Sequence, residues 1–222
     1  MTTEETRTKG VLHMEVILDG VPGFVVEGDP QDALAVVVAA SDYLQEQGRA
    51  VLSLAMDGQA ISPDGLADAL KDRPLDSIRK IEITSESLLD LVDQTLRELE
   101  EVLPELPQAC HDLAEVFQGD DPEAGFTPFH QLAEIWRNVK IRETQVLHAL
   151  NEDAESLAVR EAPLSKVHNE LNEFLTEAAQ AIEAGDLILL GDLLEYELAP
   201  RAEMEIDIVA LLRQRAARLT EG

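Results

Sequence analysis

The histidines and glutamates of this chain are the first candidates for chemistry, because helical proteins that bind two irons place Glu-x-x-His pairs on two of their helices. None of the five histidines has a glutamate three residues before it. The sequence also lacks an HExxH pair, a Cys-x-x-Cys pair, a phosphate-binding glycine loop and a Gly-x-Ser-x-Gly elbow. We therefore predict no metal ligands, no cofactor and no catalytic residues, and we expect the protein not to be an enzyme.

Three polar residues near the C-terminus lie on or beside apolar helical stripes. His168 lies at the edge of the stripe on residues 163–184. Glu197 and Arg201 interrupt a second stripe, whose spacings of four and three are typical of helices that interlock side by side. The second stripe consists of Leu190, Leu194, Glu197, Arg201, Met204, Ile208 and Leu211.

Glu197 and Arg201 are one helical turn apart with the acid first, the orientation that favours an intrahelical ion pair. Together with His168 they predict a buried polar layer that fixes the register of the helices, because buried ionic groups are costly unless they are paired. The alternative interpretation is a polar site at which these three residues bind or protonate a ligand.

Pro200 stands inside the second stripe, and the apolar spacing continues in phase on both sides of it. This predicts one long helix that bends near Tyr196, where the proline ring would clash with the carbonyl four residues back. Two shorter helices with a clean break are the competing interpretation, because a proline disfavours helical geometry in the residue before it.

The other reactive side chains have structural interpretations. Arg137, Lys140 and Arg142 form a basic cluster in an acidic region, and we expect them to pair with neighbouring helices. An anion site is the alternative. Cys110, near Leu113 on its own helix, is predicted to be a small buried hydrophobic residue.

The charge of the chain restricts its partners. Seventeen basic and 45 acidic residues give a formal net charge of -28, which disfavours binding to nucleic acid and to anionic membrane surfaces. A basic protein partner would be attracted, although solubility alone also explains an acidic surface. The single cysteine and the lack of an apolar N-terminal segment lead us to expect a cytoplasmic protein.

The first 85 residues contain both strand and helix patterns. Two strands rich in β-branched residues are predicted at 11–18 and 23–27, with turn chemistry at 19–22 between them. A helix over 30–47 follows, with Asp29 as its expected N-cap. This part of the chain therefore predicts a hairpin followed by a helix.

The pattern continues with a strand over 50–56, a short helix that starts after Ser62 and ends near Lys71, and a last strand over 78–84. This order of elements resembles the β-grasp arrangement of ubiquitin-like domains. The resemblance implies a small α+β domain over residues 1–85.

From Ser85 onward the apolar residues take helical spacing, and no further strand is predicted. Prolines and glycines divide the remainder into about five helices. We therefore predict an α+β protein in which the small β-grasp-like domain is followed by a helical bundle over residues 86–222.

The C-terminal stretch resembles an uncharacterised family of acidic bacterial proteins with the same two-part layout. The residues that carry the resemblance are Gly185, Asp186 and the run DLLEYELAP over 192–200. It implies the architecture, and it marks four members of the run as possible interaction residues: Asp192, Glu195, Tyr196 and Pro200.

These patterns favour a non-catalytic interaction protein, such as an adaptor, a chaperone-like binder or an assembly factor, that holds a protein partner with helix grooves and an acidic surface. Two alternatives stay open. One is a structural homodimer formed by the stripes on residues 163–212. The other is an enzyme whose carboxylates and histidine are dispersed along the sequence.

Overall fold

The structure is a computed structural model that describes residues 14–26, 28, 30–62, 65, 69–71 and 73–220. The chain forms two compact units, Met1–Leu88 and Leu89–Gly222. It has the predicted α+β class, because a mixed sheet occupies the first unit and helices dominate the second. Among the described residues, no helix is both long enough and apolar enough to span a membrane.

The described part of the first unit contains a five-stranded sheet. Its strands are β1 (Glu15–Leu18), β2 (Val21–Pro22), β3 (Arg49–Met56), β4 (Gln59–Ile61) and β5 (Lys80–Ser87). They lie in the order β2-β1-β5-β3-β4, in which β1 is parallel to β5 and the other neighbours are antiparallel. The first and last strands therefore lie side by side at the centre, as the β-grasp-like expectation requires.

Helix α1 (Ala33–Glu46) belongs to the same core as the sheet. Its buried face consists of Ala33, Val36, Val37, Ala40 and Leu44. These residues pack with inward-facing side chains of alternate strand positions, such as Val16, Leu54 and Ile83. Burying one face of the helix and one face of the sheet gives this unit its own hydrophobic core.

Details of the first hairpin and of α1 differ from the sequence predictions. The turn is only Asp19 and Gly20, both at positive φ, so that Val21 and Pro22 belong to β2. The strand predicted over 23–27 is wrong for residues 23–26, which are not in a strand, and residue 27 lies outside the described residues. The N-cap of α1 is Asp32, whose carboxylate accepts the N–H of Ala35, and not Asp29, which lies outside the described residues. An aspartate at the N-cap satisfies one of the free N–H groups of the first turn.

Two other short elements of this unit also differ from the predictions. Strand β4 was missed, because the turn at Asp57 and Gly58 joins β3 to a partner of only three residues. Most of the short helix predicted between Ser62 and Lys71 lies outside the described residues. The strand predicted over 78–84 is confirmed in type, with β5 as its counterpart.

The second unit is built mainly of helices. They are α2 (Leu88–Val102), α3 (Leu106–Phe117), α4 (Phe126–Ala149), α5 (Leu164–Ala184), α6 (Leu187–Asp192) and α7 (Ala199–Thr220). A small antiparallel hairpin of β6 (Ala158–Val159) and β7 (Ala162–Pro163) precedes α5, so the prediction of no further strand is wrong. Arg160 and Glu161 form its turn at positive φ.

The helical path is continuous from α6 through Pro200 into α7. Residues Leu193–Leu198 form a π turn, in which the Ala199 N–H donates to the Leu194 carbonyl five residues back. A π turn contains one more residue than an α turn, and such turns relieve local conflicts in a helix. The conflict here is the ring of Pro200, which lacks an N–H and would clash with the carbonyl of Tyr196 in a regular helix.

The additional residue of the π turn changes which positions of the following helix face the core. Beyond Leu194 the predicted stripe is only partly correct: Ile208 is buried and Met204 and Leu211 pack against the core, but all of its later positions except Ile208 are only partly buried. The buried line moves one residue along the chain and consists of Leu198, Ala202, Glu205, Val209 and Leu212. These residues complete a core shared with the buried faces of α2 to α6.

Candidate functional site

Arg201 occupies a partly buried ionic site on the first turns of α7. It lies 3.5 Å from Glu197, which confirms the predicted intrahelical pair, and 3.0 Å from Glu170 of α5. Its guanidinium carbon is 4.3 Å from the centroid of the Phe174 ring, a distance at which a cation is attracted to the face of the ring. Glu197, Glu170 and Phe174 together hold the guanidinium against α5.

His168 belongs to a different group from Arg201 and Glu197. Its Nε2 lies 3.3 Å from Glu143 of α4, and none of the ion pairs of the described residues joins it to Glu197 or Arg201. Burial and the nearby Lys140 lower the pKa of His168 from 6.5 to about 4, while Glu205 acts in the opposite direction. The histidine is therefore neutral at pH 7.

The group around His168 is the most deeply buried ionic cluster among the described residues. Glu143 of α4 and Glu205 of α7 are 0% and 1% exposed, and no other charged or polar residue described is buried to this degree. Lys140 of α4 links them, because its Nζ donates to Glu143 Oε2 at 2.9 Å and to Glu205 Oε1. We call Lys140, Glu143, His168 and Glu205 the buried cluster.

The surroundings of Glu205 favour its protonated form. Burial, together with the hydrogen bond and the charge of Glu143, raises the pKa of Glu205 from 4.5 to about 9, although Lys140 opposes the shift. Glu205 is therefore protonated at pH 7.

The arrangement of the buried cluster is suited to fixing helices rather than to holding a metal. Within the described ranges, no group of three or more His, Cys, Asp or Glu side chains could hold a metal ion. The ammonium of Lys140 already lies where a cation would bind, between the two carboxyl groups. The three helices α4, α5 and α7 each contribute a side chain to the buried cluster.

Sequence reasoning missed Glu143 and Glu205, although a signal existed for the first of them. Glu143 is four residues after the buried Val139 and three before the buried Val146, and is therefore in phase with the apolar stripe of α4. Glu205 could be recognised only after the shift of one residue at the π turn. Before that shift, the phase of the stripe pointed to Glu197 and Arg201.

A groove of about 820 Å³ runs between α4 and α5, beside the buried cluster. Its walls are largely apolar and include Phe129, Trp136 and Ile141 from α4, and Leu175 and Ile182 from α5. Ile141 is 44% exposed and contributes apolar surface to the wall of the groove. The lining residues on α4 run from 129 to 145, about 24 Å at the rise of an α-helix.

The cations that line the groove are already paired. Arg137 lies 2.6 Å from Glu134 on its own helix, and Lys140 is held by the buried cluster. Arg142, the third member of the predicted basic cluster, lies outside the lining and 2.7 Å from Glu98 of α2. Within the described part of the chain, all three cations are neutralised by carboxylates.

The acidic residues on the α5 side of the groove are not neutralised in this way. Glu183 lines the groove, while Glu173 and Glu177 line a shallow depression that shares Asn172 with it. Within the described ranges, these three glutamates have no ion-pair partner. Glu183 therefore adds an unpaired carboxylate to the groove lining, whereas Glu173 and Glu177 lie about 160° around α5 from the groove residue Leu175.

The residues of the 192–200 run lie on and around the π turn. Asp192 accepts a hydrogen bond from Gln118, the C-cap of α3, at 3.2 Å, and Glu195 is partly buried. Tyr196 is 63% exposed, and a hydrogen bond to Glu195 together with that residue's charge raises the pKa of its hydroxyl. Pro200 is exposed in the first turn of α7.

The one buried thiol has the environment that its sequence predicted. Cys110 is fully buried in α3, and desolvation raises its pKa to about 12. A thiol that stays protonated is a poor nucleophile, so Cys110 acts as a small apolar side chain.

One family comparison gives a match. The model of a family described as domain of unknown function (DUF8042) matches residues 94–204, which is half of the chain and lies entirely within the helical unit. No curated protein and no solved structure matches the chain.

Proposed function

The chain belongs to the family described as domain of unknown function (DUF8042), and we propose that it is a non-catalytic protein–protein interaction protein. It acts as an adaptor, a chaperone-like binder or an assembly factor, and its helical unit holds the partner. The observation that carries this proposal is the apolar groove between α4 and α5, with Ile141 exposed in its wall. Exposed apolar surface rimmed by polar residues is typical of interaction sites.

The state of the ionisable groups supports a binding role over catalysis. Both glutamates of the buried cluster are buried, and its lysine and histidine are only 20% exposed. A general acid or base must reach the proton that it transfers. The enzyme alternative, with dispersed carboxylates and a histidine, has less support from this arrangement.

A partner of different sequence is favoured over a second copy. The apolar stripes on residues 163–212, which a homodimer would use, contribute to the core of one copy. A second copy would also bring its own formal charge of -28 to the interface. The homodimer alternative would require another surface.

The remaining parts of the proposal concern setting and family. We place the protein in the cytoplasm of bacteria, because it has a single, buried cysteine and a strongly acidic composition. We also propose that the family consists of acidic proteins in which the run over 192–200 recurs, with Tyr196 as an exposed contact.

Affinity capture from a native lysate tests this function. The wild-type chain should retain one partner protein reproducibly, and Ile141→Lys should lose it, because a charged side chain would then stand in the apolar wall. Ile206→Lys on α7 is the matched control, since Ile206 is 41% exposed and does not line the groove. Equal capture by both variants and the wild type would contradict a role for the groove.

A further inference from the structure

Strand β3 has a neighbour on both sides along only part of its length. On one side, β5 pairs with it from Arg49 to Met56, whereas on the other side β4 pairs only with residues 54–56. Within the described part of the chain, no strand lies beside residues 49–53 on the β4 side. The first half of β3 is therefore a free edge of the sheet.

The hydrogen bonds of β5 show which backbone groups this free edge presents. In an antiparallel pair, residues whose N–H and C=O groups bond to the neighbouring strand alternate with residues whose groups point away from it. Ser85 lies opposite Val51 and donates its N–H to the Asp19 carboxylate instead of to β3. Val51 and Arg49, two residues apart, therefore direct their N–H and C=O groups away from β5, while Ala50 between them bonds to it. No backbone hydrogen bond of the described ranges uses these outward groups.

The side chains at this edge offer little protection against pairing. Natural sheets protect their edges with charged residues, prolines and bulges. The run AVLSL over 50–54 contains no charge and no proline, and Val51 and Leu52 are 37% and 52% exposed. The guanidinium of Arg49 is turned toward β5, because it donates to Ser85. The β-bulge after Val51 changes the pairing with β5 and leaves the outward groups free.

An extended polypeptide is the ligand that matches these groups. Outward N–H and C=O groups recur at every second residue, about 6.7 Å along the strand, which is also the repeat of an added strand. In such complexes the main-chain hydrogen bonds supply affinity, and alternate side chains supply specificity. A β-branched or aromatic side chain opposite Val51 would pack best against it. A second copy of this chain is a poorer match, because it would bring its own formal charge of -28.

We propose that the free edge of β3, residues 49–53, binds an extended apolar segment of a different protein as an added strand. The inference goes beyond the proposed function, because it concerns the sheet of the first unit and not the groove of the helical unit. It gives the first unit a binding role of its own, in which Arg49 and Val51 each contribute one N–H and one C=O group.

Two short peptides test this inference on the full chain. The first is a heptapeptide in which threonine and valine alternate, with uncharged ends so that the charge of the chain does not drive its binding. The second has the same side chains but an N-methyl group on every backbone nitrogen, so it cannot donate hydrogen bonds. Binding and amide hydrogen exchange are measured by NMR on the isotopically labelled chain. The first peptide should bind about tenfold or more tightly than the second, and it should slow exchange of the Arg49 and Val51 amides about tenfold or more.

Variants of the chain locate the binding. Val51→Pro removes an outward N–H without removing a bond to β5, and it should weaken the first peptide about tenfold or more. Val51→Thr keeps this N–H and a β-branched side chain, so its affinity should stay within about twofold of the wild type. Ile141→Lys is the control in the other unit and should leave peptide binding unchanged. Thermal unfolding establishes that each variant is folded, and the comparison of the two peptides needs no variant.

Four results would overturn the inference. Equal affinities of the two peptides would indicate apolar contact without strand pairing, and binding that protects other amides but not those of Arg49 and Val51 would lie elsewhere. No binding of either peptide at millimolar concentration would also contradict the free edge as a binding site. A dimer in light scattering that Val51→Pro dissociates would identify a second copy as the occupant. Each of these results leaves partner capture that depends on Ile141, and with it the proposed function, unaffected.

Discussion

Replacing Lys140 with methionine tests whether the buried cluster holds the helical unit together. Methionine retains most of the apolar stem of lysine but removes the ammonium that contacts both Glu143 and Glu205. Glu143, which is fully buried, must then either stay ionised without its cation or take up a proton. Removing one partner of a buried ion pair costs about 3–5 kcal/mol of unfolding free energy.

Arg137→Met provides a control on the same helix. Arg137 pairs with Glu134 at i−3 just as Lys140 pairs with Glu143 at i+3, but both members of that pair are more than 60% exposed. A solvent-exposed pair contributes about 0–1 kcal/mol, since water screens it. Lys140→Met should therefore lower the free energy of unfolding by about 3 kcal/mol more than Arg137→Met does, and this difference measures the effect of burial.

A double variant separates charge from packing. Adding Glu143→Gln to Lys140→Met removes the unpaired buried carboxylate. The double variant should therefore lose less unfolding free energy than the sum of the losses in the two single variants, by about 2 kcal/mol or more. Urea unfolding followed by the fluorescence of Trp136, the only tryptophan, reports on the helical unit alone. A cost for Lys140→Met no larger than that for Arg137→Met, or additive single changes, would refute the structural role of the buried cluster.

The other predictions concern titration, packing and reactivity. Because folding keeps Glu205 protonated, the native chain binds more protons than the unfolded chain between pH 4.5 and about 9. The free energy of unfolding should therefore fall as pH rises through that window, by up to about 1.4 kcal/mol per pH unit. Urea unfolding of Glu205→Gln at several pH values should not show this fall. His168 has the opposite sign, since its pKa falls from 6.5 to about 4 on folding; stability should decline as pH falls from 6.5 to 4, and an unaltered acid profile in His168→Gln would contradict the assignment. A Cβ on Gly125 would lie 2.7 Å from the Phe117 ring, so Gly125→Ala should lower stability by about 1–3 kcal/mol, measured by thermal unfolding, and an unchanged midpoint would mean that the ring yields. Cys110 should react with a thiol reagent only after denaturation, and rapid labelling of the native chain would contradict its burial.

Local patterns determined the class of the protein and the identity of most elements. Strands β1, β3 and β5 and helix α1 were each recognisable, because alternation and apolar periodicity depend on residues that are near one another in the sequence. The Glu197 and Arg201 pair was predictable for the same reason, since both residues lie on adjacent turns. The acidic composition was likewise read directly from the residues.

The candidate site depended on information that the local sequence does not contain. Pro200 indicates a disturbance of the helix, but only the packed structure decides that a π turn absorbs it and that Glu205 rather than Arg201 enters the core. The contact of Glu205 with Lys140 joins residues 65 positions apart, on helices whose relative placement is set by the packing of the whole unit. The groove has the same origin, because its two walls come from separate helices and neither wall alone forms a binding surface.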